Sequence, residues 1–277
     1  MSEPELNDVP LPLPKTIRRW PRQLGMAVLF LLPVVSLGGW ALSRAVDQAQ
    51  EGSRRSGCKC YLKQFGLALH GYHDTYGSFP PAFVLGPDQR PWHSWRVLIL
   101  PYFDERALYD QYRFDEPWDG PNNIKLLDKM PLAYACPSRP CPVDFAKPPT
   151  LAIGILACGG TPEAAKRGDT SYAAVLGQNC AFRGTQPVKI VDLIDGTSNT
   201  ALIGECTRTK IPWTKPEDID TTFFNKLGDP NGFSSPHDGG AHLMMADGTV
   251  RFVNYTMSQS IVDAIFTRNG GESVGDF

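Results

Sequence analysis

Histidine, acidic and tryptophan side chains fall in patterns that could support chemistry. His70 and His73 are three residues apart with Asp74 beside them. Side chains three apart on a helix are neighbours, a spacing a metal can use. No third ligand is identifiable along the chain, so both histidines read rather as bonding backbone where a helix meets a sheet. Asp195, Ser198 and Asn199 lie in the run Asp195-Gly196-Thr197-Ser198-Asn199-Thr200, dense in oxygen donors. Calcium takes such ligands, and Asp192 or Glu205 could complete the set. EF-hand spacing is missing, and an Asx turn capped by its own side chains explains the same residues. His237 is followed, after nine residues, by Asp247-Gly248. Asp-Gly between alternating apolar runs suits a two-residue type I′ turn, with positive φ at both positions. His237 then locks the loop before that hairpin rather than acting as a base. Trp92, Trp95 and Trp118, with Trp213, could line a sugar-binding face, although such residues are more often core or loop anchors.

Other chemistries find no support. Ser171 and Ser198 lack the G-x-S-x-G elbow, and no P-loop, dinucleotide fingerprint or H-E-x-x-H is present. No catalytic residues are therefore expected, and the chain reads as non-enzymatic. With 27 basic and 29 acidic residues, nothing suggests a nucleic-acid surface. The seven cysteines are odd in number, so at least one is unpaired or joined to another chain. Cys136 and Cys141 are the nearest pair with room to bridge, since Cys58 and Cys60 are too close for an easy mutual bridge. Without a CxxC pattern, a structural zinc site is not expected. No cofactor is called for beyond the calcium option.

The elements that must position these residues begin with a hydrophobic segment. Leu24 to Leu42 is a run of 19 residues without a charge, about the length that crosses a bilayer core. Lys15, Arg18, Arg19 and Arg22 precede it without an acid, whereas Asp47 and Glu51 dilute Arg44, Arg54 and Arg55 behind it. This asymmetry places the N-terminus in the cytoplasm and the C-terminal domain outside. The division expected is a disordered basic cytoplasmic tail over 1–22, a transmembrane helix over 23–43, and an extracytoplasmic domain over 44–277. Outside the cytoplasm, some cysteines would be oxidised. The spine of that domain is a helix over 44–76, because Leu62, Phe65, Leu69, Tyr72 and Tyr76 recur at steps of three and four. Gly77 and the pair Pro80-Pro81 must end it.

Beyond the spine, Ser94 to Tyr112 reads as two short helices broken near Pro101, and Pro121 to Lys129 as another. Tyr134 to Cys136 reads as a short strand. Arg139 to Lys166 is rich in Pro, Gly and Ala and reads as a loop. Strands are expected at Ser171–Leu176, Val188–Leu193 and Thr200–Gly204, and a hairpin over Ala241–Val253. Met257 to Arg268 has helical spacing. The order gives an α+β fold, a long N-terminal helix packed on a mainly antiparallel sheet with short helices and long loops.

Several segments resemble a large bacterial family of pseudopilin-like proteins. They are LKQFGLALHGYHDTYGSFPP (Leu62–Pro81), SWRVLILPY (Ser94–Tyr102), YDQYRFDEPWDGPNN (Tyr109–Asn123), YACPS (Tyr134–Ser138) and DGTSNTALIGE (Asp195–Glu205). His237 with Asp247-Gly248 resembles the prepilin-processing-associated motif by which the domain is named. The resemblance runs in order from about Arg54 to Glu272. It implies a pilin-like fold, export and membrane association in a family of unknown function, once labelled solute-binding-like. Prepilins carry a Glu five residues after the cleaved Gly, whereas here Gly25 is followed by Met26 to Phe30. The missing acid removes a registering contact between subunits.

These readings converge on a single-pass protein of the bacterial inner membrane with a periplasmic or equivalent domain. Its expected role is structural or interaction-based, related to type II secretion or type IV pilus-like assemblies. Expected partners are the membrane, like subunits, or secretion and pilus components. The alternative is an anchored carbohydrate-binding module.

Overall fold

A computed structural model describes residues 22–138, 168–207, 209–224, 226–272 and 275, without the side chains of residues 22–38 and 41. The expected tail before residue 22 and the whole Pro-, Gly- and Ala-rich loop from Arg139 to Lys166 lie outside the described residues. The chain divides into two compact units, residues 1–49 and 50–277. Helix α1 runs Arg22–Tyr76. Among the described residues, no helix is long and apolar enough to cross a membrane. The uncharged run Leu24–Leu42 falls largely on side chains outside the description.

Within the second unit, the spacing of apolar residues on α1 sets the fold. Leu62, Phe65 and Leu69 are fully buried, with Tyr61 and Ala68 beside them. The expected stripe fades towards the C-terminal end, where Tyr72 is half-buried and Tyr76 is 62% exposed. Gly77 closes the helix with φ of +76°, its N–H donating to the His73 carbonyl. Strands β1 (Phe83–Leu85) and β2 (Pro91–Ser94) then form an antiparallel hairpin. Helices α2 (Trp95–Leu98) and α3 (Arg106–Tyr109) flank a 3₁₀ turn over Leu100–Phe103 that contains Pro101. The two short helices broken near Pro101 are thus present. The stretch after Pro121 is helical as a 3₁₀ turn over Asn123–Lys129.

Two expected strands are replaced by 3₁₀ turns. Leu132–Tyr134 is one, so Cys136 follows a turn rather than ending a strand. Ile190–Asp192 is the other, where Val191 is 81% exposed. Each apolar run was too short to distinguish strand from turn.

The remaining strands are β3 (Asp169–Thr170), β4 (Tyr172–Leu176), β5 (Ala201–Glu205), β6 (Ile211–Pro212), β7 (Ile219–Asp220), β8 (Gly240–Met245) and β9 (Val250–Asn254). Five of them form one sheet in the order β7-β4-β5-β8-β9. Its pairs are antiparallel except β4 with β7. Helix α4 (Gln259–Phe266) follows the last strand. The chain is therefore α+β, with an N-terminal helix and a mixed, mainly antiparallel sheet.

Alternation along the strands buries the sheet on both faces. Tyr172, Ala174, Leu202, Ile203 and Met244 join α1 in one core. Ala173, Val175, Leu243, Met245 and Val253 join Val262, Ile265 and Phe266 of α4 in a second. Phe65 centres the first, with ring centroids 4.8 to 5.8 Å from Phe103, Tyr134, Tyr172 and Trp95. Each such side chain contributes about 1.5–3 kcal/mol when fully buried. Gly66 allows the close approach of helix and hairpin, since a Cβ there would lie 3.2 Å from Met244 Sδ and 3.3 Å from Gly248 Cα.

A buried ion pair fixes α2 to the sheet. Arg96 Nη2 donates to Asp218 Oδ1 at 2.6 Å, both side chains being at most 1% exposed. Arg96 also donates to the carbonyls of Tyr172 and Glu217, and Asp218 accepts from Trp95 Nε1 and Ala174 N–H. Hydrogen bonds on this scale are what burial of two charges requires.

Candidate functional site

Four chemically capable side chains from different parts of the sequence meet where α1 approaches the end of β5. They are Cys58, Cys136, Glu205 and His237, all buried, with their ligand-type atoms within 4.8 Å of one another. Cys58 lies on α1 seven residues after Glu51, hence on the same helical face. Cys136 is held after its 3₁₀ turn by donation of its N–H to Ser171 Oγ at 2.9 Å. Glu205 ends β5. The Ser234 N–H donates to the Glu205 carbonyl, bringing the segment before β8 alongside. The His237 N–H donates to Ser235 Oγ, which fixes the start of that loop.

The distances define an oriented arrangement. Cys58 Sγ and Cys136 Sγ are 2.7 Å apart, and Cys136 Sγ lies 4.0 Å from His237 Nε2. His237 Nε2 is 3.7 Å from Glu205 Oε1. Its other nitrogen, Nδ1, is 2.5 Å from Glu51 Oε1. Glu51 is also bound by Arg54 at 2.9 Å. Glu205 Oε2 accepts from the His242 backbone N–H at 2.8 Å and from His242 Nδ1 at 3.3 Å. Glu205 Oε1 is buried without a hydrogen-bond partner.

Electrostatics follows this geometry. Burial pushes the Cys136 thiol up, but hydrogen bonds from Cys58 and His237 outweigh it and bring it down to about 7. Burial, and then the Cys136 contact, hold Cys58 well above the ordinary thiol range. For His237 burial favours the neutral ring, yet bonds to Cys136 and Glu51 and the charge of Glu205 raise it to about 9. Glu205 is lowered despite burial, chiefly by His242. Glu51 is lowered likewise, by His237 and Arg54 against burial.

Two thiols, an imidazole and a carboxylate can together hold a divalent transition metal. Adjacent thiols can also be oxidised to a disulfide. A thiol beside an imidazole is in principle an activated nucleophile. Here Cys136 is 0% and His237 2% exposed, so both reactive groups are enclosed by protein. Cys60, two residues along α1 from Cys58, is disulfide-bonded.

The residues singled out in the sequence are scattered. His237 enters the cluster, whereas Asp247 and Gly248 lie beyond the far end of β8, about 20 Å of strand at ~3.3 Å per residue. The two halves of the motif therefore serve different places. The turn is not type I′, because only Gly248 has positive φ, at +80°. Gly248 N–H donates to the Met245 carbonyl and Met245 N–H to the Thr249 carbonyl, a three-residue loop with Gly in the left-handed position. Asp247 Oδ1 accepts from Thr249 N–H and Oγ1. His70 Nε2 bonds the Ala246 carbonyl of this turn at 2.9 Å. His73 Nε2 accepts from Ile190 N–H at 3.4 Å. Both histidines thus bond backbone.

Asp195 spends both carboxylate oxygens on the Gly270 and Gly271 N–H groups, at 2.7 and 2.8 Å. Asn199 Nδ2 donates to the Asp195 carbonyl, and Ser198 is exposed. This loop clasps the segment after α4. Trp95 is fully buried against Phe65 and Phe182, so it lines no open face. Trp92 and Trp118 are half-buried and joined by a backbone hydrogen bond.

Sequence spacing missed the cluster because its four members come from α1, a turn, a strand end and a loop. The available signal was that Cys136, Glu205 and His237 each fall within a segment that carries the family resemblance.

An α+β domain built on an N-terminal helix, with a buried thiol–imidazole–carboxylate cluster, is the class that fold and site define. The chain matches a family described as "Protein of unknown function (DUF1559)" over residues 47–226 and 220–260, and it belongs to that family. No curated protein and no solved structure matches it.

Proposed function

We propose that this chain is a non-enzymatic, membrane-anchored structural or interaction protein of pseudopilin-like build. Its uncharged run, Leu24–Leu42, anchors it in the bacterial inner membrane, and residues from 44 onward form the extracytoplasmic domain. The observation that carries this reading is that one helix, α1, contains the uncharged run and also supplies the spine of the folded core through Leu62, Phe65 and Leu69. The Cys60 disulfide supports an oxidising compartment. Burial of Cys136 and His237 supports a structural rather than catalytic role for the most reactive side chains.

The role follows from this build: the anchored helix packs against other membrane helices or like subunits, in assemblies related to type II secretion or type IV pili. Phe30 stands where prepilins carry Glu, which argues for a permanently anchored relative rather than a processed filament subunit. In-membrane crosslinking of the full chain, with mass spectrometry of the captured species, tests this. Ladders of the chain itself, or secretion and pilus components, are expected. A clean monomer would contradict it.

A second reading, an anchored ligand-binding module, has one observation in its favour. A half-open cavity of about 710 Å³ is lined by Lys210, Glu217, Asp220, Phe223, Asp229 and Asn231 among others. Phe223 is 82% exposed there. The cavity does not include Trp92, Trp95 or Trp118, so a carbohydrate would meet phenylalanine and acids instead.

A further inference from the structure

We propose that Cys58, Cys136, Glu205 and His237 form a structural site for one divalent transition metal ion of the zinc class. The inference is independent of membrane anchoring. Zinc is bound by thiolate, imidazole and carboxylate ligands, and its structural sites are closed and four-coordinate. Glu205 provides the observation that points to a ligand. It is fully buried, and its Oε1 has no hydrogen-bond partner while facing the cluster. A buried carboxylate oxygen is costly unless a cation meets it closely, and the His237 ring, at 3.7 Å, is beyond hydrogen-bond distance.

The residues around the four are arranged as outer partners of a metal site. Glu51 takes the Nδ1 side of His237, which leaves Nε2 facing the sulfurs and Glu205. His242 takes Oε2 of Glu205 through backbone and ring nitrogens, which leaves Oε1 facing inwards. Ser171 holds the backbone of Cys136. Each of these three ligands is thus fixed on the side away from the cluster centre.

Binding needs no oxidant. The ion replaces the protons on the two sulfurs and on His237 Nε2, and those protons pass to solvent. The sulfurs, now 2.7 Å apart, open to roughly 3.8 Å, the span of two ~2.3 Å Zn–S bonds at a tetrahedral angle. Their oxidation state is unchanged. The ion would tie α1 to the turn before β3, the end of β5 and the loop before β8, joining the spine helix to the sheet by four bonds.

The test uses the full chain purified in detergent under anaerobic conditions, with zinc as the probe and cobalt as its spectroscopic substitute. Expected are one zinc per chain by elemental analysis and a fall in melting temperature on chelation. The cobalt form should show tetrahedral d–d bands and a thiolate-to-cobalt charge-transfer band. Cys136→Ser and His237→Ala should lose the metal, while Cys180→Ser, at a buried thiol elsewhere, should keep it. Because either ligand variant could fail to fold, the wild-type cobalt spectrum decides independently. A zinc-free chain with Cys58 and Cys136 joined in a disulfide would overturn the proposal. So would a reduced chain whose cobalt spectrum lacks the thiolate band.

Discussion

Glu51 Oε1 lies 2.5 Å from His237 Nδ1, across 186 residues of sequence. The contact fixes which face of the imidazole meets the cysteines. It also anchors the loop before β8 to the spine helix, so motif histidine and helix are one unit.

Removing that carboxylate tests its orienting role. Glu51→Ala should weaken zinc binding about 10- to 100-fold, the usual cost of losing an outer partner of a ligating histidine. Competition with a chromophoric chelator measures this. Wild-type affinity in the variant would show that His237 needs no such support.

The Arg96–Asp218 pair should be the most sensitive polar contact in the core. Asp218→Asn leaves the guanidinium buried without its counter-charge and should cost about 3–5 kcal/mol. Denaturant unfolding would register this as a lower midpoint. A loss below about 1 kcal/mol, as for exposed pairs, would mean that the carbonyls around Arg96 suffice.

Gly248 should resist replacement for a backbone reason. At φ of +80° with nothing within 4 Å of an added Cβ, Gly248→Ala meets no clash and only the left-handed penalty. The expected loss is about 1–2 kcal/mol. In a domain of this size that lowers the melting temperature by roughly 2–4 °C per kcal/mol. No change would mean that the turn has relaxed to another geometry.

The Asp195 loop should prove to be a clasp. Because both carboxylate oxygens already accept from Gly270 and Gly271, adding calcium or a calcium chelator should leave the melting temperature unchanged. Asp195→Ala should lower it, through loss of bonds worth about 1.5–3 kcal/mol each to a charged acceptor before solvent replacement is counted. Stabilisation by calcium would restore the ion-binding reading.

How far the sequence foretold this architecture depended on the length and periodicity of each element. The stripe Leu62, Phe65, Leu69 predicted the spine because a helical period repeated over several turns has few competing readings. The run Ala241–Val253 predicted the β8–β9 hairpin for the same reason, with alternation on both sides of Asp247-Gly248. The short runs at Tyr134 and Val188 carried too few residues to separate strand from 3₁₀ turn. The turn type was missed because Asp-Gly also fits a three-residue loop in which only the glycine takes positive φ. Trp95 carried two readings, a binding face or a core anchor, and its packing against Phe65, which decides for the core, depends on tertiary contacts. The cluster of Cys58, Cys136, Glu205 and His237 was illegible by spacing. Chain topology brings those residues together, and no local motif encodes it.

We propose an anchored protein whose folded domain lies outside the cytoplasm. Alkaline carbonate extraction of membranes carrying the full chain, followed by protease treatment of spheroplasts, tests it most directly. The chain is expected to stay in the membrane pellet, with external protease removing epitopes placed after residue 44 while sparing one at the N-terminus. Release into the carbonate supernatant, or full protection of the C-terminal domain in intact spheroplasts, would contradict it.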